Sequence, residues 1–144
     1  MTLNTIILAL ENSPSDLELI IYLVTKLQLK PETRVILSHV VATENHELER
    51  EADRPQTDVE AIPYLVIEKQ FKLYQEKLPC QTKIEILVGD PSEEIIRLSN
   101  IYNADLIAIG SRGLKGINRI VQGSVSSQVV AEATCSVLVV KSRA

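Results

Sequence analysis

Residues 106–113 read Leu-Ile-Ala-Ile-Gly-Ser-Arg-Gly, a short apolar run that passes directly into glycine. A continuous apolar run of this length is typical of a strand that is buried on both faces of a sheet. A helix is predicted from about Val125 to Ala133, and a further apolar strand at Ser136–Lys141. A strand, a glycine-rich connection, a helix and a second strand together indicate a parallel sheet.

The same alternation extends toward the N-terminal side. Strands are predicted at 5–10, 34–41 and 83–88, and the polar alternation at the start of the third is typical of a sheet edge. Helices are predicted from 15 to 27, 62 to 78 and 91 to 102. We therefore expect an α/β fold: one domain over residues 1–144 with an open, five-stranded, mainly parallel sheet and helices on both faces.

Two short segments carry the chemistry of a helix start. In the first, Ser13 is the predicted cap, a proline follows it, and Asp16 lies three residues after the cap. In the second, Asp90 is the predicted cap, again followed by proline, with Glu93 three residues on. Both match the capping-box pattern, so we expect both to begin helices in the same way.

Composition excludes several classes of protein. Apolar residues make up 45% and charged residues 24%, which argues against a disordered chain, and no apolar run approaches the ~20 residues that span a bilayer. The first residues show no secretory or transit signal. Cys80 and Cys135 lie too far apart for a metal or redox motif, so a cytosolic protein with packing cysteines is expected.

Charge is distributed unevenly along the chain. Residues 44–60 hold seven acidic and two basic residues, and we expect a solvated acidic loop there; a site for a basic partner is the alternative. From Ser111 onward five basic residues face one acidic residue. The basic segment from Ser111 onward suits a small anionic ligand. No nucleic-acid or membrane partner is expected.

Four of the five glycines lie between 110 and 123, in the connection after the 106–109 strand: Gly110, Gly113, Gly116 and Gly123. Bare backbone next to a helix start favours phosphate binding. The segment does not match a Walker A loop, because Lys115 stands where that motif needs glycine. It does not match the dinucleotide fingerprint either, because it follows the fourth strand and has Arg112 in place of the second glycine.

The pattern that does fit is G-x2-G-x9-G-S, formed by Gly110, Gly113, Gly123 and Ser124. With it, the whole chain resembles the nucleotide-binding type of the universal stress protein family. The resemblance implies the strand order 3-2-1-4-5 and an adenine nucleotide, ATP or a relative of it, across the strand ends. The binding residues that it implies are Ala9, Leu10, Glu11, Val40, Ile109, Gly110, Arg112, Gly113, Gly123, Ser124, Val125 and Ser126.

Glu11 departs from the family pattern, which usually has aspartate at the end of the first strand. The longer side chain keeps the charge and leaves a magnesium role open. With no nucleophile and base beside the glycines, we expect a binding module with slow ATP hydrolysis at most. The alternatives are a magnesium-dependent ATPase or phosphotransferase that uses Glu11, and a dimeric scaffold with an empty pocket. His39 is interpreted as a structural residue.

The last strand bears on assembly. Val137, Leu138, Val139 and Val140 are continuously apolar. An uncovered apolar edge strand can pair with the strand of another chain and so cause aggregation. A second copy that lies antiparallel beside it covers the edge in a defined way. We expect a homodimer through this strand, a higher oligomer remaining open, with nucleotide occupancy sensed across the interface.

Overall fold

The computed structural model describes residues 3–42, 56–111 and 119–141, with the backbone alone at 56–63 and 119–124. Strands and helices alternate along these residues. In chain order they are β1 Thr5–Ala9, α1 Ser15–Lys26, β2 Arg34–Ala42, α2 Gln56–Gln75, β3 Gln81–Gly89, α3 Pro91–Ile101, β4 Leu106–Ser111, α4 Arg119–Glu132 and β5 Ser136–Lys141.

The five strands of the described residues form one parallel sheet with the order β3-β2-β1-β4-β5. This confirms the expected fold class and strand order, including the edge position of β3. In the centre, Ala9 pairs with Ser38 on one side and with Ile109 on the other. Strand order reverses between β1 and β4, and ligands of open α/β sheets bind outside the carboxyl ends of strands at such a point.

Two apolar layers cover the sheet. One packs α1 and α2 around Phe71, and the other packs α3 and α4 around Val129, both of which are fully buried. Every residue of β1 is buried, which explains its unbroken apolar sequence. Burial of each such side chain contributes roughly 1.5–3 kcal/mol. The four central residues of β5 are only partly buried, as its edge position dictates.

Two helices begin earlier than the sequence predicted. Helix α2 begins at Gln56 rather than 62, so the last five residues of the expected 44–60 loop are helical, while 43–55 lie outside the described residues.

Helix α4 begins at Arg119 rather than 125. Gly123 and Ser124 therefore lie inside the helix and not in the loop before it. A glycine inside a helix costs only about 1 kcal/mol relative to alanine, so the helix tolerates it.

No helix among the described residues is long and apolar enough to cross a membrane.

Candidate functional site

A cleft opens at the carboxyl edge of the sheet, where β1, β4 and β5 end beside the first turn of α1. It lies at the reversal of strand order, the place expected for a ligand. Three residues of the predicted site line it, together with seven that the sequence did not single out. The lining residues are Ala9, Glu11, Ser15, Asp16, Glu18, Leu19, Gly110, Ser111, Val140 and Lys141.

Gly110 leaves bare backbone at this cleft. A Cβ built on it would lie 3.9 Å from the Oε2 atom of Glu11 and 3.9 Å from the carbonyl oxygen of Val140, both ordinary contacts. Its φ is not in the positive range that favours glycine. Within the described part of the chain, neither packing nor backbone conformation therefore requires glycine here.

The turn after β1 holds Glu11 in place. The Leu10 N–H donates to the carbonyl of Ser38 at 2.8 Å, and Nδ1 of His39 donates to the carbonyl of Leu10 at 2.9 Å. Because a carbonyl oxygen only accepts, Nδ1 of His39 carries the proton. The ring of His39 also makes an edge contact with Phe71. These contacts agree with the structural role that the sequence suggested for His39.

Asp16 closes the same turn from the side of α1. Its carboxylate accepts hydrogen bonds from the backbone N–H groups of Glu11, Asn12 and Ser13 at 2.9, 2.8 and 3.2 Å. Asn12 adopts a positive φ of 63° in the middle of this turn. Burial raises the pKa of the Asp16 carboxyl above its ordinary value. The hydrogen bonds from the three backbone N–H groups and the electrostatic effect of His39 oppose that shift.

The sequence predicted this role of Asp16 in part, because the acid of a capping box accepts the backbone N–H of the cap residue, here Ser13. It predicted a capping box, in which the Ser13 hydroxyl would cap the helix. Instead, the Ser13 hydroxyl bonds that of Ser15 at 2.8 Å, and α1 has no side-chain cap. The signal was present all the same, because an acid three residues after a serine is placed to reach back to the preceding amides.

The structure places the other predicted site residues in several environments. Val40 and Ile109 are buried with Ala9 in the layer of α3 and α4, where Val125 packs against them. Leu10 is buried in the opposite layer, and Ser126 is buried on α4. Gly123 and Ser124 belong to the α4 backbone, whereas Arg112 and Gly113 lie outside the described residues.

Charge in the cleft is mainly acidic on the described side. Glu11, Asp16 and Glu18 line it together with one cation, Lys141. Carboxylates accept hydrogen bonds from hydroxyl and amino groups and repel phosphate. The α1 side of the cleft therefore suits the hydroxyls of a sugar. Among the described residues, no cluster of three or more His, Cys, Asp or Glu side chains is arranged to hold a metal ion.

Comparison with known proteins agrees with this architecture. The model of the universal stress protein family matches residues 2–141. The universal stress protein MJ0531 of Methanocaldococcus jannaschii is 40% identical over 73 residues, which are 51% of this chain and 43% of that protein. The matched segment thus spans less than half the length of that relative.

Two solved structures share the fold. The protein MJ0577 of Methanocaldococcus jannaschii superposes with a TM-score of 0.83 at 23% identity, covering 99% of each chain. A universal stress protein family protein of Arabidopsis thaliana, solved with AMP bound, superposes with a TM-score of 0.62 at 20% identity, covering 98% of this chain and 93% of that one.

Proposed function

Because the chain belongs to the universal stress protein family, we propose that it binds an adenine nucleotide at the carboxyl edge of the sheet, between β1 and β4. The observation that carries the proposal is Gly110, which leaves bare backbone at the cleft although the described residues around it have room for a side chain. The AMP bound to the Arabidopsis relative supports the choice of ligand.

The charges of the cleft indicate how the nucleotide lies. Glu11 accepts hydrogen bonds from the ribose hydroxyls, and the adenine lies toward Val40. The phosphates extend away from the carboxylates, toward Gly113 and the N-terminal end of α4, the helix that contains Gly123 and Ser124, with Arg112 beside them. Glycine amides and a helix N-terminus are the groups that bind phosphate in this kind of fold.

The module acts by binding rather than by catalysis, and we place it in the cytosol, where it responds to stress through its nucleotide occupancy. ATP and AMP are both candidate ligands. A magnesium role for Glu11 is the alternative arrangement, in which the phosphates turn toward this carboxylate, because the ion usually combines one or two carboxylates with phosphate oxygens. Single-turnover release of phosphate from ATP distinguishes this binding module from a magnesium-dependent ATPase.

Glycine substitutions test the proposed site. Gly110→Val, Gly113→Val and Gly123→Val should each weaken ATP and AMP binding at least about tenfold, because a branched side chain keeps the ligand from the backbone. Gly116→Val, outside the motif, is the matched control. Calorimetry measures affinity, and circular dichroism and urea unfolding confirm that each variant folds. Unchanged affinity in all three variants would contradict the site.

A homodimer through β5 is the second part of the proposal. Val137 and Val139 pack toward the α3 and α4 layer and Leu138 and Val140 toward the other, yet all four stay partly exposed on the edge strand. A second copy that lies antiparallel to β5 would cover them, and each fully buried valine or leucine contributes about 1.5–3 kcal/mol.

Sedimentation tests the dimer. The protein should sediment as a dimer at micromolar concentration, and Val139→Lys should produce monomers. Val88→Lys is the control, because Val88 is 60% exposed on β3, the opposite edge strand. Val140 is avoided because it also lines the cleft. A wild-type monomer would overturn the dimer without affecting the nucleotide site.

A further inference from the structure

Asp16 lies at the wall of the candidate cleft and is buried, with only 3% of its surface exposed. Its two carboxylate oxygens accept three consecutive backbone N–H groups: Oδ1 takes that of Glu11, and Oδ2 takes those of Asn12 and Ser13. Three donors converging on one carboxylate use most of its acceptor capacity. The side chain therefore acts on the turn between β1 and α1 rather than on a ligand.

This turn is anchored from both sides. On the side of β2, the backbone of Leu10 is held by Ser38 and His39. On the side of α1, Asp16 holds the next three amides. Glu11 lies between the two anchors, and its Oε2 atom is 3.9 Å from the place where a Cβ of Gly110 would be. The bonds of Asp16 thus hold the stretch of backbone from which the Glu11 side chain extends toward Gly110.

We propose that Asp16 is a positioning residue of the nucleotide site: its carboxylate fixes the 11–13 turn and so places Glu11 opposite Gly110. This inference rests on the proposed function, because it assigns Glu11 to the ligand. Asp16 does not contact the nucleotide. Its contribution to affinity passes through Glu11.

The role requires a carboxylate and not merely a side chain of the same shape. An asparagine has one acceptor oxygen and one NH2 donor in place of the two oxygens. Whichever way the amide is turned, its NH2 group faces at least one backbone N–H of the turn. A donor without an acceptor is unfavourable, and the turn moves to relieve it. Asp16→Asn therefore displaces Glu11 while nearly preserving the volume of the side chain.

A double-mutant cycle on the full chain tests this. AMP affinity is measured by calorimetry for the wild type, Asp16→Asn, Glu11→Gln and the double variant. Asp16→Asn should weaken AMP binding about tenfold, and in the Glu11→Gln background it should change affinity by less than about twofold. Full additivity, or an unchanged affinity in Asp16→Asn, would overturn the proposal.

Asp90→Asn is the matched control. Asp90 also accepts a backbone N–H, that of Glu93 at 3.0 Å, at a helix start on the same edge of the sheet. It follows β3, which β2 separates from β1. Because asparagine caps a helix about as well as aspartate, the control should change stability by less than about 0.5 kcal/mol and keep AMP affinity. The cycle is repeated with Asp16→Ser, whose hydroxyl can accept from one amide. The test then does not depend on the folding of a single Asp16 variant.

A second readout needs no ligand, and so separates this inference from the proposed function. When Asp16 is present, Glu11→Gln should shift the NMR resonance of the Gly110 amide, because the Glu11 side chain lies beside Gly110. In the Asp16→Asn background the same change should leave that resonance nearly unmoved. An equal shift in both backgrounds overturns the positioning role. If the wild type binds neither AMP nor ATP, the proposed function fails, and this NMR result still decides whether Asp16 places Glu11.

Discussion

The turns that lead into α1 and α3 are similar in sequence and different in structure. Before α3, Asp90 precedes the proline and its carboxylate accepts the N–H of Glu93 inside the helix. Before α1, Asp16 follows the proline and its carboxylate reaches back to three amides outside the helix. Both segments carry an acid three residues after the cap position, Asp16 and Glu93. They differ at the cap itself, where Asp90 bonds into its helix and Ser13 does not, so that before α1 the bonding acid is the one that reaches back into the loop. Only the second arrangement adjoins the candidate site.

The largest expected difference between the two turns is the loss of folding stability when the carboxylate of each is removed. We expect Asp16→Ala to lower the free energy of unfolding by about 3 kcal/mol, because three amides lose their acceptor. Asp90→Ala should cost about 1 kcal/mol, the usual cost of a lost helix cap. Urea unfolding measures both. An equal or greater loss in Asp90→Ala would show that the two turns do not differ as described.

Alanine at the positive-φ residue of each turn should also lower stability by different amounts. Gly89, before Asp90, has a φ of 153°, and a Cβ there would lie 3.0 Å from Cγ of Glu94. We expect Gly89→Ala to cost about 2 kcal/mol. Asn12 has a φ of 63°, in the left-handed region, where alanine costs about 1 kcal/mol.

Asn12→Gly is the control for this pair, because glycine adopts that φ without strain and should leave stability within about 0.5 kcal/mol of the wild type. Thermal unfolding compares the variants. A Gly89→Ala protein as stable as the wild type would refute the backbone argument for the second turn.

The smallest expected effect is the pH dependence of the α1 turn. Burial raises the pKa of Asp16 in the folded state, so the folded protein binds more protons than the unfolded chain at pH values between the ordinary and the raised pKa. As pH falls through this window, the wild type should gain stability relative to Asp16→Asn. Above the window, the difference should be constant. Unfolding curves across the acidic range measure it, and a relative loss of stability on acidification would have the wrong sign.

The sequence predicted the fold better than the lining of the site. The apolar runs of β1 and β4 identified central strands, and Glu11 and Gly110 could be expected near each other because both end such strands. Val140 and Lys141 were not recognised as lining residues, because their place depends on the pairing of Gly110 with Val140. Composition and periodicity do not determine that register.

The helix boundaries were missed for a different reason. The start of α2 is too polar to show an apolar stripe, and the start of α4 contains a glycine that is typical of loops. Both stretches are helical in the folded chain, where most helical stability comes from tertiary packing, which local propensity does not capture. The binding roles of Gly113, Gly123 and Ser124 stay predictions.

The two cysteines lie on opposite faces of the sheet. Cys80 packs against the layer of α1 and α2, and Cys135 against the layer of α3 and α4. Both are free thiols, and burial raises the pKa of each above its ordinary value. Because the thiolate is the reactive form, the raised pKa slows the reaction of each thiol with a labelling reagent. Each thiol is only partly buried, so its labelling rate reports the exposure and ionisation at its own face of the sheet, and the native chain carries one such reporter on each face.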